Sequence, residues 1–185
     1  MAAAIRKHWL VSLIVVAGFA ADQISKALII RYVPFRTSWP GEGFFRFTHV
    51  GNRGSAFGLI DDANLVLMVV SFVGVGILLY FYRAQQDSTL AVRASLGLML
   101  AGALGNLVDR VANGHVTDFI DVGPWWIFNL ADASIVTGIT LLASSLVLGS
   151  SKSDEAVDDA SAEPVPEFTP VLESTREEPD DEQRD

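Results

Sequence analysis

Four stretches of this chain are too long and too apolar to be exposed to water, and they fix what it can fold into. A helix rises about 1.5 Å per residue, so crossing about 30 Å of hydrocarbon takes about 20 mostly apolar residues. Trp9 to Ile30, Asn64 to Tyr82, Leu90 to about Val108 and Phe128 to Ser150 meet that length. Only the second is free of charge. Asp22 and Lys26 interrupt the first, Arg93 lies near the start of the third, and Asp132 sits in the opening turns of the fourth. A charge within a span costs about 2.5 to 3.5 kcal/mol on insertion scales, so it turns toward the bundle interior and marks function.

Half of the 185 residues are hydrophobic, yet the net charge is −9. The two properties are segregated along the chain. Of the 22 acidic residues, 13 follow Gly149, against three basic ones, so residues 1–149 hold nine acids and ten Lys/Arg, about +1. Residues 151–185, rich in Ser, Asp, Glu, Ala and Pro, have the composition of a disordered acidic tail, which leaves 1–150 as the working domain. Without a basic patch, nucleic acid is not an expected partner. Cysteine is absent, which excludes disulfides and a thiolate nucleophile. His8, His49 and His115 are scattered without metal-ligand spacing. Neither metal nor cofactor is expected, and chemistry must come from carboxylates, amides and hydroxyls.

Arg6 and Lys7 before an apolar run imitate a signal peptide. The run resumes at Ala27-Leu28-Ile29-Ile30, however, and Asp22 and Lys26 at i,i+4 share one helix face, which fits a retained span better. Between the first two spans, Phe44-Phe45-Arg46-Phe47-Thr48-His49-Val50 has the β-propensity of a short strand or hairpin at the membrane surface. Trp39, Trp125 and Trp126 fall just outside the spans, as interfacial aromatics do. They put the 31–63 and 109–127 loops on one side, and an even number of spans puts both termini on the other. Lys and Arg divide five against five between the two sides, so charge does not orient the bundle.

Polar residues gather in Asp22-Gln23-Ile24-Ser25-Lys26, in Asn52-Arg53-Gly54-Ser55-Ala56-Phe57-Gly58, in Gly105-Asn106-Leu107-Val108-Asp109-Arg110 with Val116-Thr117-Asp118-Phe119, and in Phe128-Asn129-Leu130-Ala131-Asp132. Asn106 with Asp109, and Asn129 with Asp132, are three apart and share a face on a helix. The glycines of the second cluster permit a tight turn and close backbone approach to a ligand. Peptide hydrolysis without metal or thiol needs a base to deprotonate water and an acid to protonate the carbonyl or the leaving nitrogen. Two carboxyls sharing one proton supply both, because each like charge raises the other's pKa. Asp118 and Asp132 are such a pair from separate segments; by spacing alone, Asp109 and Asp132 are nearly as good.

Read as Asp-Gln-x-x-Lys, Asn-x-Gly-x-Ala-Phe-Gly, Gly-Asn-x-x-Asp-Arg, Val-x-Asp-Phe and Phe-Asn-x-Ala-Asp, the five motifs resemble, in order, those of lipoprotein signal peptidase (signal peptidase II). The likeness runs from about residue 9 to 150. It implies an all-α membrane protein, with four transmembrane helices, a small extracytoplasmic β-element and both termini in the cytoplasm of a bacterial cell. It implies catalytic roles for Asp118 and Asp132 and supporting ones for Asp22, Lys26, Asn52, Gly54, Asn106, Asp109, Arg110 and Asn129. The implied substrate is a diacylglyceryl-modified prolipoprotein within membrane lipid, cut on the amino side of its lipidated cysteine. A single bundle of this size can work as a monomer.

Plainer readings stand beside these. Asp22 with Lys26 is read as architectural, Asp109-Arg110 equally as an ion pair closing the third helix, Asp121 as a solvated loop charge, and His115 as a possible neighbour of Asp118. A proton-coupled transporter predicts acids at mid-bilayer and an internal repeat, whereas Asp109, Asp118 and Asp132 cluster at span ends. A non-catalytic assembly subunit would tolerate loss of both aspartates.

Overall fold

The computed structural model describes the backbone of residues 2–54, 63–84 and 89–161 and side chains within 9–54, 64–84 and 89–148. Residues 55–58 of the second motif and the tail beyond residue 161 lie outside this set. Four helices, α1 (Ala2–Tyr32), α2 (Ala63–Ala84), α3 (Leu90–Asn113) and α4 (Leu130–Ser161), accompany three strands, β1 (Ser38–Trp39), β2 (Arg46–Asn52) and β3 (Val116–Asp121). Each helix contains a segment long and apolar enough to cross a membrane: Trp9–Tyr32, Asn64–Ala84, Leu90–Asn113 and Leu130–Leu148. The four-helix membrane fold with a small β-element is as expected. α4 runs past the Ser150 limit that composition suggested.

α3 is the helix against which α1 and α2 pack. Small residues make the close approach possible. A Cβ on Gly102 would collide with the Ala131 carbonyl of α4, and one on Gly105 would fall 2.5 Å from Asp22 Oδ2 of α1. By contrast α2 leaves Leu65, Val66, Val69, Val70, Phe72 and Val73 exposed, the face a helix turns toward lipid. α3 also runs further than expected. Asp109 and Arg110 are inside it, and it ends at Gly114 in the left-handed region (φ 72°), whose N–H closes on the Arg110 carbonyl, as a C-terminal glycine cap does.

The strands form one antiparallel sheet in the order β1-β2-β3. β2 lies slightly later than the 44–50 run expected to be extended, and β3 was not foreseen. Its pairing sets Val50 opposite Asp118 and Asn52 opposite Val116. The chain then folds back, so that Phe128 accepts from Phe119 and Ile120 N–H (3.0 and 2.7 Å) and donates to the Ile120 carbonyl (3.1 Å). These bonds tie the start of α4 to the sheet. Ile29 and Val33 of the α1 end pack against Phe119 beneath it.

Asp121 is not a solvated loop charge. It is a buried residue of β3, held by Thr48 Oγ1 (2.7 Å), Gly123 N–H (3.1 Å) and Arg46 (Nη2 at 2.9 Å). Burial acts to raise its pKa, but the bonds from Thr48 and Gly123 and the Arg46 charge outweigh it and hold the carboxyl below the usual range. The cluster staples β2 to β3 at the Arg46–Asp121 pair, three residues along β3 from Asp118.

Candidate active site

Where α4 begins, its backbone organises the polar centre. Asn129 is the N-cap: its Oδ1 accepts the Asp132 N–H (2.9 Å), while Asp132 Oδ2 accepts the Asn129 N–H (3.3 Å). This reciprocal capping box satisfies two of the donors that a helix start leaves unpaired. Asn129 and Asp132 therefore meet as cap and third residue rather than as two positions on one helical face. With its oxygen committed to the cap, Asn129 must present Nδ2 elsewhere, and it donates to Asp118 Oδ1 (2.7 Å). One fully buried amide thus joins the carboxyl of β3 to the first turn of α4.

Asp118's other oxygen is held by Asn52 Nδ2 at 2.8 Å. Asn52 is aimed by an Asx turn, its Oδ1 accepting the Gly54 N–H at 2.8 Å. Gly54 has φ +75°, and a Cβ there would run into Leu67 of α2, so a side chain would be both strained and obstructed. Only 1% of Asp118 is exposed. Burial, chiefly, and the Asp132 charge push its pKa up to about 6, against the opposing bonds from Asn52 and Asn129 and the charge of Lys26.

Asp132 Oδ1 accepts Asn106 Nδ2 at 2.7 Å. Behind Asn106 lies a buried ionic cluster. Lys26 Nζ is 2.8 Å from Asp22 Oδ2, 3.0 Å from Asp109 Oδ2 and 3.2 Å from Asn106 Oδ1. Asp22 Oδ1 also accepts the Ala131 N–H of α4 (2.9 Å), and Asp109 Oδ2 the Thr117 N–H of β3 (3.0 Å). Gln23 Nε2 reaches Asp22, Asp109 and the Gly105 carbonyl. Asp109 is thus paired with Lys26, not with Arg110, and both its oxygens are occupied. Arg110 instead donates to Ser71 Oγ (3.4 Å) and the Asn106 carbonyl (3.3 Å). His115 Nδ1 contacts the Asn113 carbonyl and its ring lies over Gly51, rather than engaging Asp118.

Two cavities open onto the pair. One of about 670 Å³ is lined by Val50, Asn52, Gly54, Asp118, Trp125, Trp126 and Ile127. The other, of about 510 Å³, carries Asp132, Asn106, Arg110 and Ser71 at one end and the apolar side chains of Leu67, Val70, Ile77 and Leu78 along α2. The structure gathers Asp22, Lys26, Asn52, Gly54, Asn106, Asp109, Asp118, Asn129 and Asp132 into one connected centre, with Arg110 at its groove side. Sequence reasoning passed over Gln23 as a site residue, although it lay inside a quoted motif. It also took Trp125 and Trp126 for interfacial anchors, not cavity walls.

Four apolar helices with a buried carboxyl, Asp118, and a partly buried one, Asp132, both bonded to Asn129, define a membrane-embedded enzyme of the aspartic type. A family model described as Signal peptidase (SPase) II matches residues 14–148. The lipoprotein signal peptidase of Moorella thermoacetica is 43% identical over 130 residues, 70% of this chain and 87% of that one. That of Halothermothrix orenii is 37% identical over 134 residues, 72% and 92%. A solved bacterial membrane enzyme at 2.3 Å resolution superposes with a TM-score of 0.69 at 30% identity, covering 78% of this chain and 92% of its own. The chain belongs to the signal peptidase II family and is a membrane peptidase, as its motifs indicated.

Proposed function

We propose that this protein removes the signal peptide from diacylglyceryl-modified prolipoproteins, cutting on the amino side of the lipidated cysteine, with Asp118 and Asp132 as the catalytic pair. One observation carries the assignment within the family: Asn129 donates its side-chain amide to Asp118 Oδ1 and its backbone N–H to Asp132 Oδ2, so carboxyls from two segments converge on one residue. Asp118, with a pKa of about 6, is poised to exchange a proton near neutrality, which a general acid–base group requires. In the mechanism, the ionised member of the pair deprotonates a water. The protonated member donates to the scissile carbonyl oxygen as the water attacks the carbonyl carbon. When the C–N bond breaks, the carboxyl that took the water's proton gives it to the leaving nitrogen, the other takes a hydroxyl proton from the tetrahedral diol, and both return to their starting states.

The two cavities suit an extended substrate. The wall of Trp125, Trp126 and Asn52 takes the backbone near the cysteine, while the groove along α2 takes the apolar signal segment, and the acyl chains stay in lipid. The enzyme acts as a monomer, with the sheet and both cavities at the extracytoplasmic face and both termini in the cytoplasm. In purified protein with a lipidated prolipoprotein, read by substrate mass shift, Asp118→Asn and Asp132→Asn each abolish cleavage while the protein remains folded and inserted. Near-normal turnover by either refutes the assignment and favours a non-catalytic role.

A further inference from the structure

A buried lysine with two carboxylates would be adequately explained as architecture, but its third contact has a consequence for the carboxyl pair. An ammonium donates only, so Lys26 at 3.2 Å obliges Asn106 to turn its oxygen inward. The Asn129 amide also donates to the Asn106 oxygen, at 3.2 Å, but gives its shorter bond, 2.7 Å, to Asp118, so the charged Lys26 donor is the stronger constraint on Asn106. Asn106 is left with Nδ2 as the group it can offer Asp132, at 2.7 Å. The alternative rotation would set an oxygen against a carboxylate and an NH2 against both the ammonium and the Asn129 NH2, three repulsive contacts inside a region with little water to screen them.

We infer that Lys26 is a positioning residue that acts through Asn106, locking its amide so that an N–H always meets Asp132 Oδ1 and Asp132 is held in one rotamer beside Asp118. This rests on the proposed catalytic pair. Lys26 itself is 2% exposed and enclosed by Asp22 of its own helix and Asp109 of α3, so it has no route to substrate. The contact with Asn106 adds little to an ammonium already neutralised by two carboxylates. Its effect is directional: it selects which end of the amide faces the reacting centre.

The test is a double-mutant cycle in the full chain, with kcat and KM for a lipidated prolipoprotein and unfolding in detergent measured for each variant. Lys26→Met and Asn106→Leu each lower kcat by about 100-fold, the usual cost of small misplacements at a reacting centre, with KM unchanged. The double variant is no worse than Asn106→Leu alone, because both remove the same contact. Should Lys26→Met fail to fold, it is made together with Asp22→Asn, which keeps the net charge and leaves an amide oxygen for the Ala131 N–H, and the cycle is repeated in that background. Multiplying losses, or a kcat for Asn106→Leu near wild type, overturns the inference while leaving the catalytic pair intact. Cleavage that survives Asp132→Asn, run alongside, overturns both.

Discussion

Asp118 is gripped by amide donors on both oxygens and still has a raised pKa, because burial outweighs them. The sign of the linkage follows. With a folded pKa of about 6 against 3.8 when free, the proton favours the folded state, so this stabilisation is full below about pH 4 and is lost as pH rises through about 6. Removing a donor to the ionised form moves the pKa further up. Asn52→Ala therefore shifts the titration of the Asp118 carboxyl to higher pH, whereas Asp132→Asn, by deleting a like charge, shifts it down. Infrared titration of the protonated-carboxyl band checks both, and shifts in the same direction would contradict this account. At this scale the sequence was informative about residue types and less so about pairing. Asp109 and Asp132 looked nearly as good a pair as Asp118 and Asp132. Nothing local reveals that Lys26, 83 positions before Asp109 in the chain, neutralises it.

The start of α4 combines a helix cap and a carboxyl bridge in one side chain, and the two duties can be separated. Asn129→Ala removes both; Asn129→Ser keeps a capping oxygen but loses the amide N–H toward Asp118. Relative to Asn129→Ala, Asn129→Ser regains about 1 kcal/mol of stability, the usual worth of an N-cap. Both variants lose cleavage alike. Denaturation in detergent and the substrate mass shift measure the two effects independently, and recovery of cleavage by the serine would show the cap alone to matter. The spans were legible because twenty apolar residues leave few alternatives. β3 was not, since Val116–Asp121 is buried on both faces and so lacks the alternation that advertises a strand. Asp121 reads as a solvated loop charge for a different reason: its partners Arg46 and Thr48 belong to β2, 75 and 73 positions earlier.

At the scale of the whole molecule, what decides function is which side of the membrane the sheet and its carboxyls occupy. Four spans put the ends of the chain on one side and the α1–α2 and α3–α4 connections on the other, but counting Lys and Arg gives no direction. Trp125 and Trp126, 70% and 86% exposed, stand on the connection that carries Asp118. A substrate whose lipidated cysteine has been exported can be cut only if that connection is extracytoplasmic. The absence of native cysteine makes the orientation directly measurable. Trp126→Cys should react with a membrane-impermeant maleimide in intact cells, whereas Ser151→Cys, beyond the fourth span, should react only after permeabilisation. The reverse pattern would place Asp118 on the cytoplasmic side, out of reach of an exported cleavage site, and the proposed reaction could not occur however well the two carboxyls are arranged.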